Sequence, residues 1–161
     1  MGTKVVAINR RCRWRESVGG VHIPAVSAED AWAKLKSDTE SVLIDVRTIA
    51  EWAYVGLPDL SGIGKRPVTV EWQGFPDNRV NTAFVERVVE ALDPMGADRE
   101  SELFFICRSG QRSLKAAEAM AAAGYTRCRN VVDGFEGPLD ADRHRGRLVG
   151  WKAKGLPWVQ S

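Results

Sequence analysis

The sequence predicts an α/β domain built on a parallel sheet with helices on both faces. Short apolar runs alternate along the chain with amphipathic segments of about ten residues or more, which is the pattern of βαβ units. Hydrophobic residues make up 44% of the 161 residues, enough to bury one core of ordinary size. Ligands in such folds bind beyond the carboxyl ends of the strands, so functional residues are expected there.

Four segments have the pattern of strands. An apolar run between polar residues predicts a buried strand, and partial alternation of apolar and polar residues predicts a half-buried one. Turn-forming residues separate these runs from the helical segments that follow them. The four predicted strands are 41–46, 67–72, 103–106 and 128–132.

Three longer helices are predicted, each with a residue that marks one end. Ser27 is placed to cap the start of the first, and Asn81 is placed to cap the start of the second. Gly124 follows the third, where a left-handed cap is expected. The segments are 27–37, 81–92 and 112–123, with a short closing helix at 151–154.

The charge distribution argues against a nucleic-acid partner. The net charge is +2, but residues 1–20 alone carry +4, which leaves about −2 for the rest of the chain. We therefore expect a basic, flexible extension over residues 1–20 and a single domain over residues 21–161. No apolar run approaches the roughly 18 residues of a transmembrane helix, so no membrane partner is expected.

The cysteine and histidine content argues against disulfides and metals. Cys12, Cys107 and Cys128 are too few and too widely spaced for a disulfide framework, which favours free thiols in a reducing compartment, the cytoplasm. No cysteine pair has metal-ligand spacing, and the two histidines are His22 and His144. Neither a metal nor a cofactor is predicted.

Cys107 is the strongest candidate for a functional residue. It follows the predicted strand 103–106 and precedes a helix, so the free amides and the positive dipole end of that helix point at the thiol. A glycine allows successive N–H groups to converge on an anion, and two arginines add positive charge. An inert core cysteine would not need these neighbours. The predicted substrate-binding residues are Arg108, Ser109, Gly110, Gln111, Arg112 and Ser113.

Four motifs, in order along the chain, resemble those of the rhodanese-like domains. The central one is the loop that starts at Cys107, which resembles the six-residue active-site loop of that family. The resemblance covers about residues 25–159 and implies a parallel five-stranded sheet flanked by helices on both faces. The motifs are Asp45-Val46-Arg47 with Glu51-Trp52, then Cys107 with Gly110, Arg112 and Ser113, then residues 130–135, and then residues 155–158.

The resemblance implies a sulfurtransferase. Cys107 would take the outer sulfur of a small donor, thiosulfate or a mercapto-acid, and become a persulfide. A thiophilic acceptor, a thiol or a protein cysteine, would then remove that sulfur. The resemblance implies that Arg108 and Arg112 attract the donor anion, and that the loop amides stabilise the sulfur anion.

The resemblance also implies supporting residues that do not react. Asp45, Arg47 and Glu51 are expected to brace the active-site loop. Many family members carry Gly-His-Ile a few residues after the glutamate, whereas this chain has Gly56-Leu57-Pro58. Any role that depends on that histidine is therefore absent.

Two alternative functions stay open at this stage. Related folds include phosphatases, in which five residues separate the cysteine from the arginine. Four residues separate Cys107 from Arg112, and the tighter ring suits sulfur better than phosphate. The second alternative is a non-catalytic rhodanese-like module for interaction or sulfur sensing, although such a module has no physical need for a complete cysteine loop.

Three other residues have weaker claims. Cys128 lies in a strand pattern and is expected in the core rather than as a resolving cysteine. His144 is expected in a solvated loop. Trp72 ends a predicted strand and is the tryptophan best placed to line a pocket mouth.

Overall fold

A five-stranded parallel sheet forms the centre of the computed structural model, which describes residues 21–161. The predicted extension over residues 1–20, with Cys12, lies outside the described residues. The strands are β1 (Ala25–Val26), β2 (Val42–Asp45), β3 (Leu57–Pro58), β4 (Val68–Thr69), β5 (Leu103–Ile106), β6 (Cys128–Val131) and β7 (Trp158–Val159). The α-helices are α1 (Ala28–Ser37), α2 (Ile49–Tyr54), α3 (Phe84–Leu92) and α4 (Gln111–Ala122).

The strand order in the sheet is β1-β6-β5-β2-β4, which places β5 at the centre. Every residue of β2 and of β5 is buried, as expected where helices cover both faces of a parallel sheet. Phe105 lies level with Ile44 on one side and with Asn130 on the other. The carboxyl ends of these three strands therefore meet at one edge. β3 and β7 form a separate antiparallel pair.

Two apolar cores, one on each face of the sheet, hold the helices in place. Helices α3 and α4 cover the first face, and helix α1 with the chain after β6 covers the second. The first core includes Phe84, Val88, Leu92, Phe105, Ala116 and Met120. The second includes Ala31, Leu35, Leu43, Phe104, Phe135 and Trp151.

The fold confirms the predicted α/β class and corrects several details. Asn81 does not cap α3, because the helix begins at Phe84 and the Asn81 side chain accepts a hydrogen bond from the Ala83 amide before it. Residues 151–154 form turns rather than a helix, with the Lys154 amide bonded to the Gly150 carbonyl. No helix within residues 21–161 is long and apolar enough to cross a membrane.

Four of the strands and helices named above were not predicted individually. Strands β1, β3 and β7 have two residues each, and helix α2 has six. None of them is long enough to show periodicity. Helix α2 does carry a readable signal, a capping box in which Thr48 and Glu51 bond each other's amides.

Trp151→Ala is expected to lower the free energy of unfolding by about 3–5 kcal/mol, because the substitution leaves a cavity in the second core. Trp151 is fully buried and packs edge-on against Trp32 with ring centroids 5.8 Å apart. Tyr54→Ala is the control, since that ring is 80% exposed and its loss should cost less than about 0.5 kcal/mol. Urea denaturation followed by circular dichroism measures both, and equal losses would contradict the assignment.

Candidate active site

Cys107 lies directly after β5, at the edge where the carboxyl ends of the parallel strands meet. Its side chain is buried, and its Sγ atom has two polar contacts. The Gly110 amide donates to Sγ at 3.2 Å, and the Ser113 hydroxyl lies 3.2 Å from it. The sulfur therefore sits at the start of α4, where both a backbone N–H and a hydroxyl can stabilise a negative charge.

The backbone of the loop can curl around the sulfur because residue 110 is glycine. Gly110 has φ of +96°, in the left-handed region that side chains disfavour. A Cβ at this position would also collide with the carbonyl oxygen of Val132. Any other residue would push the loop away from β6 and move the amide that reaches Sγ.

Residues 135–137, in the segment after β6, donate three backbone hydrogen bonds to the cysteine loop. The Phe135 amide donates to the Cys107 carbonyl at 2.8 Å. The amides of Glu136 and Gly137 both donate to the Arg108 carbonyl, at 3.1 and 3.0 Å. These bonds fix the first two residues of the loop to the rest of the fold.

A buried side-chain network fixes the far side of the loop. While Cys107 is a thiol, its S–H donates to the Ser113 oxygen, and the single Ser113 O–H donates to the Asn130 side-chain oxygen at 2.6 Å. When Cys107 is a thiolate, that one proton can turn to Sγ instead. The Asn130 amide group donates to the Gly110 carbonyl at 3.0 Å. The side chains of Ser113 and Asn130 are both buried, so a missing partner would leave a costly unsatisfied group. Asn130, which lies in β6, thus holds both residues that contact Cys107.

Arg112 and Glu51 form a bidentate ion pair that ties the loop to α2. Both guanidinium–carboxylate distances are 2.8 Å, and each side chain is about one-fifth exposed. Glu51 also accepts bonds from the Thr48 amide and hydroxyl. The positive charge of Arg112 is therefore already matched by a carboxylate, which makes it a brace of the loop in this structure.

The ion pair shifts the titration of both groups. Burial alone would raise the pKa of Glu51, but the hydrogen bonds from Arg112 and Thr48, with the charge of Arg112, lower it to about 2. The pKa of Arg112 is raised, chiefly by its hydrogen bonds to Glu51 and also, against desolvation, by negative charge on Glu51, Cys107 and Asp45. The pair stays ionised throughout the neutral range.

Asp45 and Arg47 form a second ion pair, which is fully buried beneath the site. The closest distance between the two side chains is 2.6 Å, and Arg47 also donates to the Gly56 carbonyl at 2.8 Å. The guanidinium stacks on the Phe135 ring, with its central carbon 4.1 Å from the ring centroid. Phe135 in turn bonds Cys107 through its amide, so the Arg47 guanidinium is linked to the loop through Phe135.

An open cleft of about 690 Å³ leads to the sulfur. The predicted loop residues Arg108, Ser109 and Gln111 line it, and the side chain of Arg108 is exposed. The prediction that Trp72 lines the pocket mouth is wrong, because Trp72 packs edge-on against Phe84 with centroids 5.1 Å apart. The remaining lining residues are Thr48, Ala50, Glu51, Val55, Gln73, Phe75, Asn78, Cys107 and Arg112.

Phe75 and Asn78 are cleft residues that the sequence analysis did not identify. They follow the predicted strand 67–72, whose carboxyl end faces the same edge of the sheet as Cys107. One sequence feature indicates a cleft residue here. Phe75 is an aromatic residue between the turn-forming residues Gly74 and Pro76, at the edge of the sheet where ligands are expected.

Cys128 and His144 lie away from the sulfur, as two observations indicate. Cys128 is level with Leu103 at the start of β5, so Cys107 is four residues or roughly 13 Å further along the sheet. Burial raises the pKa of Cys128 to about 11, despite the nearby charge of Arg129. The exposed His144 does not line the cleft.

The amino-acid sequence of this chain is similar to one family model and to several known proteins. A family model described as the STR4 middle domain matches residues 23–161. An uncharacterized protein of Rickettsia conorii is 35% identical over 136 residues, covering 83% of this chain and 94% of that protein. Thiosulfate sulfurtransferase 18 of Arabidopsis thaliana is 35% identical over 111 residues, covering 68% of this chain and 75% of that protein.

A solved structure extends the similarity to three dimensions. The crystal structure of Rv0390 from M. tuberculosis has a TM-score of 0.78 and 42% sequence identity, covering 88% of this chain and all of that chain. The parallel sheet and the cysteine loop define a rhodanese-like domain. This chain belongs to that family, with the STR4 middle domain as the family model that it matches. The relatives support sulfur transfer at the level of the family.

Glu51→Gln is expected to lower the free energy of unfolding by about 1–3 kcal/mol at neutral pH, since it breaks a charge-assisted pair. The pKa of Glu51 is lower in the folded state than its ordinary value of 4.5, so its contribution is complete above pH 4.5 and is lost as the pH falls toward 2. The difference between wild type and variant should therefore shrink over that interval.

Urea denaturation at a series of pH values measures this difference. Glu118→Gln is the matched control, because Glu118 pairs with Lys115 at 3.2 Å on an exposed helix surface and should contribute little at any pH. A loss for Glu51→Gln that is the same at pH 2 as at neutral pH would contradict the assignment.

Proposed function

We propose that this domain is a sulfurtransferase that moves a sulfane sulfur from thiosulfate or a similar donor to a thiophilic acceptor through a persulfide on Cys107. The single observation that carries the proposal is the environment of Cys107, whose Sγ lies beside the Gly110 amide and the Ser113 hydroxyl and which itself lines an open cleft. A thiol that served only for packing would not be held at the base of a cleft by two polar groups.

In the first half-reaction the Cys107 thiolate attacks the outer sulfur of the donor. A bond forms between Sγ and that sulfur, and the S–S bond of the donor breaks. With thiosulfate as donor, the electron pair leaves with sulfite. The enzyme is left as a persulfide whose terminal sulfur carries the negative charge.

In the second half-reaction a thiol, a protein cysteine or, in an assay, cyanide attacks the terminal sulfur. The bond to Sγ breaks, and its electron pair returns to Cys107 as a thiolate. No redox cofactor or metal is needed for the atoms and electrons of either step to balance. Each half-reaction begins and ends with an anionic sulfur in the loop, either Sγ itself or the sulfur bonded to it, which suits a loop built for an anion.

Arg108 is the residue that we assign to attraction of the donor anion. Its exposed side chain lines the cleft, while the charge of Arg112 is matched by Glu51. Ser109 and Gln111 also line the cleft and supply polar groups near the entering donor. These roles, like the cytoplasmic location expected from the free thiols, are part of the proposal.

Cys107→Ser is expected to abolish thiocyanate formation from thiosulfate and cyanide, and to abolish the mass increase of one sulfur atom after exposure to the donor. Cys128→Ala should keep both, because Cys128 lies at the other end of the sheet. Mass spectrometry and a thiocyanate assay give the two measurements. A wild-type protein that gains no sulfur from thiosulfate or mercaptopyruvate would contradict the proposal, as would aryl phosphatase activity that is lost in Cys107→Ser.

Ser113→Ala is expected to slow persulfide formation by about tenfold, the equivalent of one hydrogen bond worth about 1.4 kcal/mol. The loop amide from Gly110 remains in this variant, so activity should fall without disappearing. Stopped-flow measurement of sulfite release isolates the first half-reaction. An unchanged rate would show that the hydroxyl does not stabilise the sulfur.

A further inference from the structure

The outer wall of the cleft is a short hairpin, residues 72–81, that follows β4. Its two arms are bridged between Gln73 and Val80. The Gly74 amide donates to the Arg79 carbonyl at 3.0 Å, and the Asn81 amide donates to the Trp72 carbonyl at 2.8 Å. The hairpin therefore has an ordered backbone of its own.

The base of the hairpin is anchored to the core on both arms. On one arm, Trp72 packs edge-on against Phe84, and its amide donates to the Val46 carbonyl at 3.1 Å. On the other arm, the Asn81 side chain donates to the Glu71 carbonyl at 3.0 Å. The contacts of Trp72 and Asn81 therefore fix the position of the hairpin beside the cleft.

The tip presents a large apolar side chain to the cleft. Phe75 lines the cleft and is 73% exposed, so most of its ring is left in water. An aromatic ring gains most from burial against another apolar group, and within residues 21–161 Phe75 belongs to neither apolar core. Ala50 and Val55 supply further apolar surface in the same cleft.

The size of the cleft is more than thiosulfate requires. Its volume of about 690 Å³ falls within the range of roughly 300–1,000 Å³ typical of sites for small organic ligands. Thiosulfate has only five atoms and no apolar surface, so it can use the sulfur and the cationic rim but not the Phe75 ring. The cleft offers an apolar contact that the simple donor leaves unused.

We infer that the cleft is built for an organic sulfane-sulfur donor that carries an apolar group beside its transferable sulfur, and that Phe75 is the residue that recognises this group. The inference rests on the proposed sulfur transfer at Cys107. In an organic thiosulfonate the outer sulfur goes to Sγ, the S–S bond breaks, and the electron pair leaves with the organic sulfinate. The bond changes are those of thiosulfate cleavage, and only the leaving group differs.

The test compares two donors, benzenethiosulfonate and thiosulfate, with cyanide as the common acceptor. In Phe75→Ala the KM for benzenethiosulfonate is expected to rise by about fivefold to tenfold, because a contact with the ring is lost. The KM for thiosulfate should change by less than about twofold, since thiosulfate has no group to contact the ring. Phe75→Leu, which keeps an apolar side chain, should recover most of the affinity.

Tyr54→Ala is the matched control, because Tyr54 is an aromatic residue of similar exposure that does not line the cleft. It should leave both KM values unchanged. Equal changes for the two donors in Phe75→Ala, or no change for either, would overturn the inference while leaving sulfur transfer intact. Failure of wild type to form a persulfide from either donor would instead overturn the proposed function.

Discussion

The close approach between the cysteine loop and the chain after β6 is the constraint on which the site depends. Two glycines make it possible from opposite sides. A Cβ on Gly110 would collide with the Val132 carbonyl, and a Cβ on Gly134 would collide with the Arg108 carbonyl. Because both glycines also have positive φ, the contact requires two backbone conformations that other residues rarely adopt. In this arrangement the Phe135 amide donates to the Cys107 carbonyl at 2.8 Å.

Two ion pairs around the loop hold it in place rather than meet a substrate. Asp45 pairs with Arg47 below the site, and Glu51 pairs with Arg112 beside it. A buried pair adds little net stability, since desolvation offsets much of the attraction, but removing one partner is costly. These pairs therefore act mainly as positional restraints. Stabilisation of the sulfur anion is left to neutral groups, whose dipoles are already oriented before the reaction begins.

The parts of the site that were predictable from the sequence are those that are contiguous in the chain. Strand, loop and helix around Cys107 occur within twenty residues, and each has a local signal. The pairing of Glu51 with Arg112 joins residues 61 positions apart, and no periodicity or spacing encodes it. The expectation that Glu51 braces the loop came from the family resemblance alone. Phe75 was missed for a related reason, because turn residues predict where the chain bends but not which surface the bend faces.

Local sequence patterns also fail to predict some short elements of the fold. Four of the five strands of the central sheet lie in segments with a predicted strand pattern, whereas β1 lies in none and is defined by its pairing with β6. The start of α3 illustrates a second limit. Asn81 has the residue type of a cap, but its side chain holds the hairpin at the Glu71 carbonyl and bonds the Ala83 amide outside the helix. Tertiary contact overrides local preference there.

The site thus divides into two parts that the fold supports differently. The floor, with Cys107, Gly110 and Ser113, is buried and is fixed by hydrogen bonds to the central strands. The hairpin wall is anchored at its base and presents Phe75 to the cleft. A substitution in the floor disturbs the packing of β5 and β6, whereas one at the tip changes only the surface that a substrate meets. Chemistry and selectivity can therefore vary independently, because the same sulfur-holding floor can serve a wall of different composition.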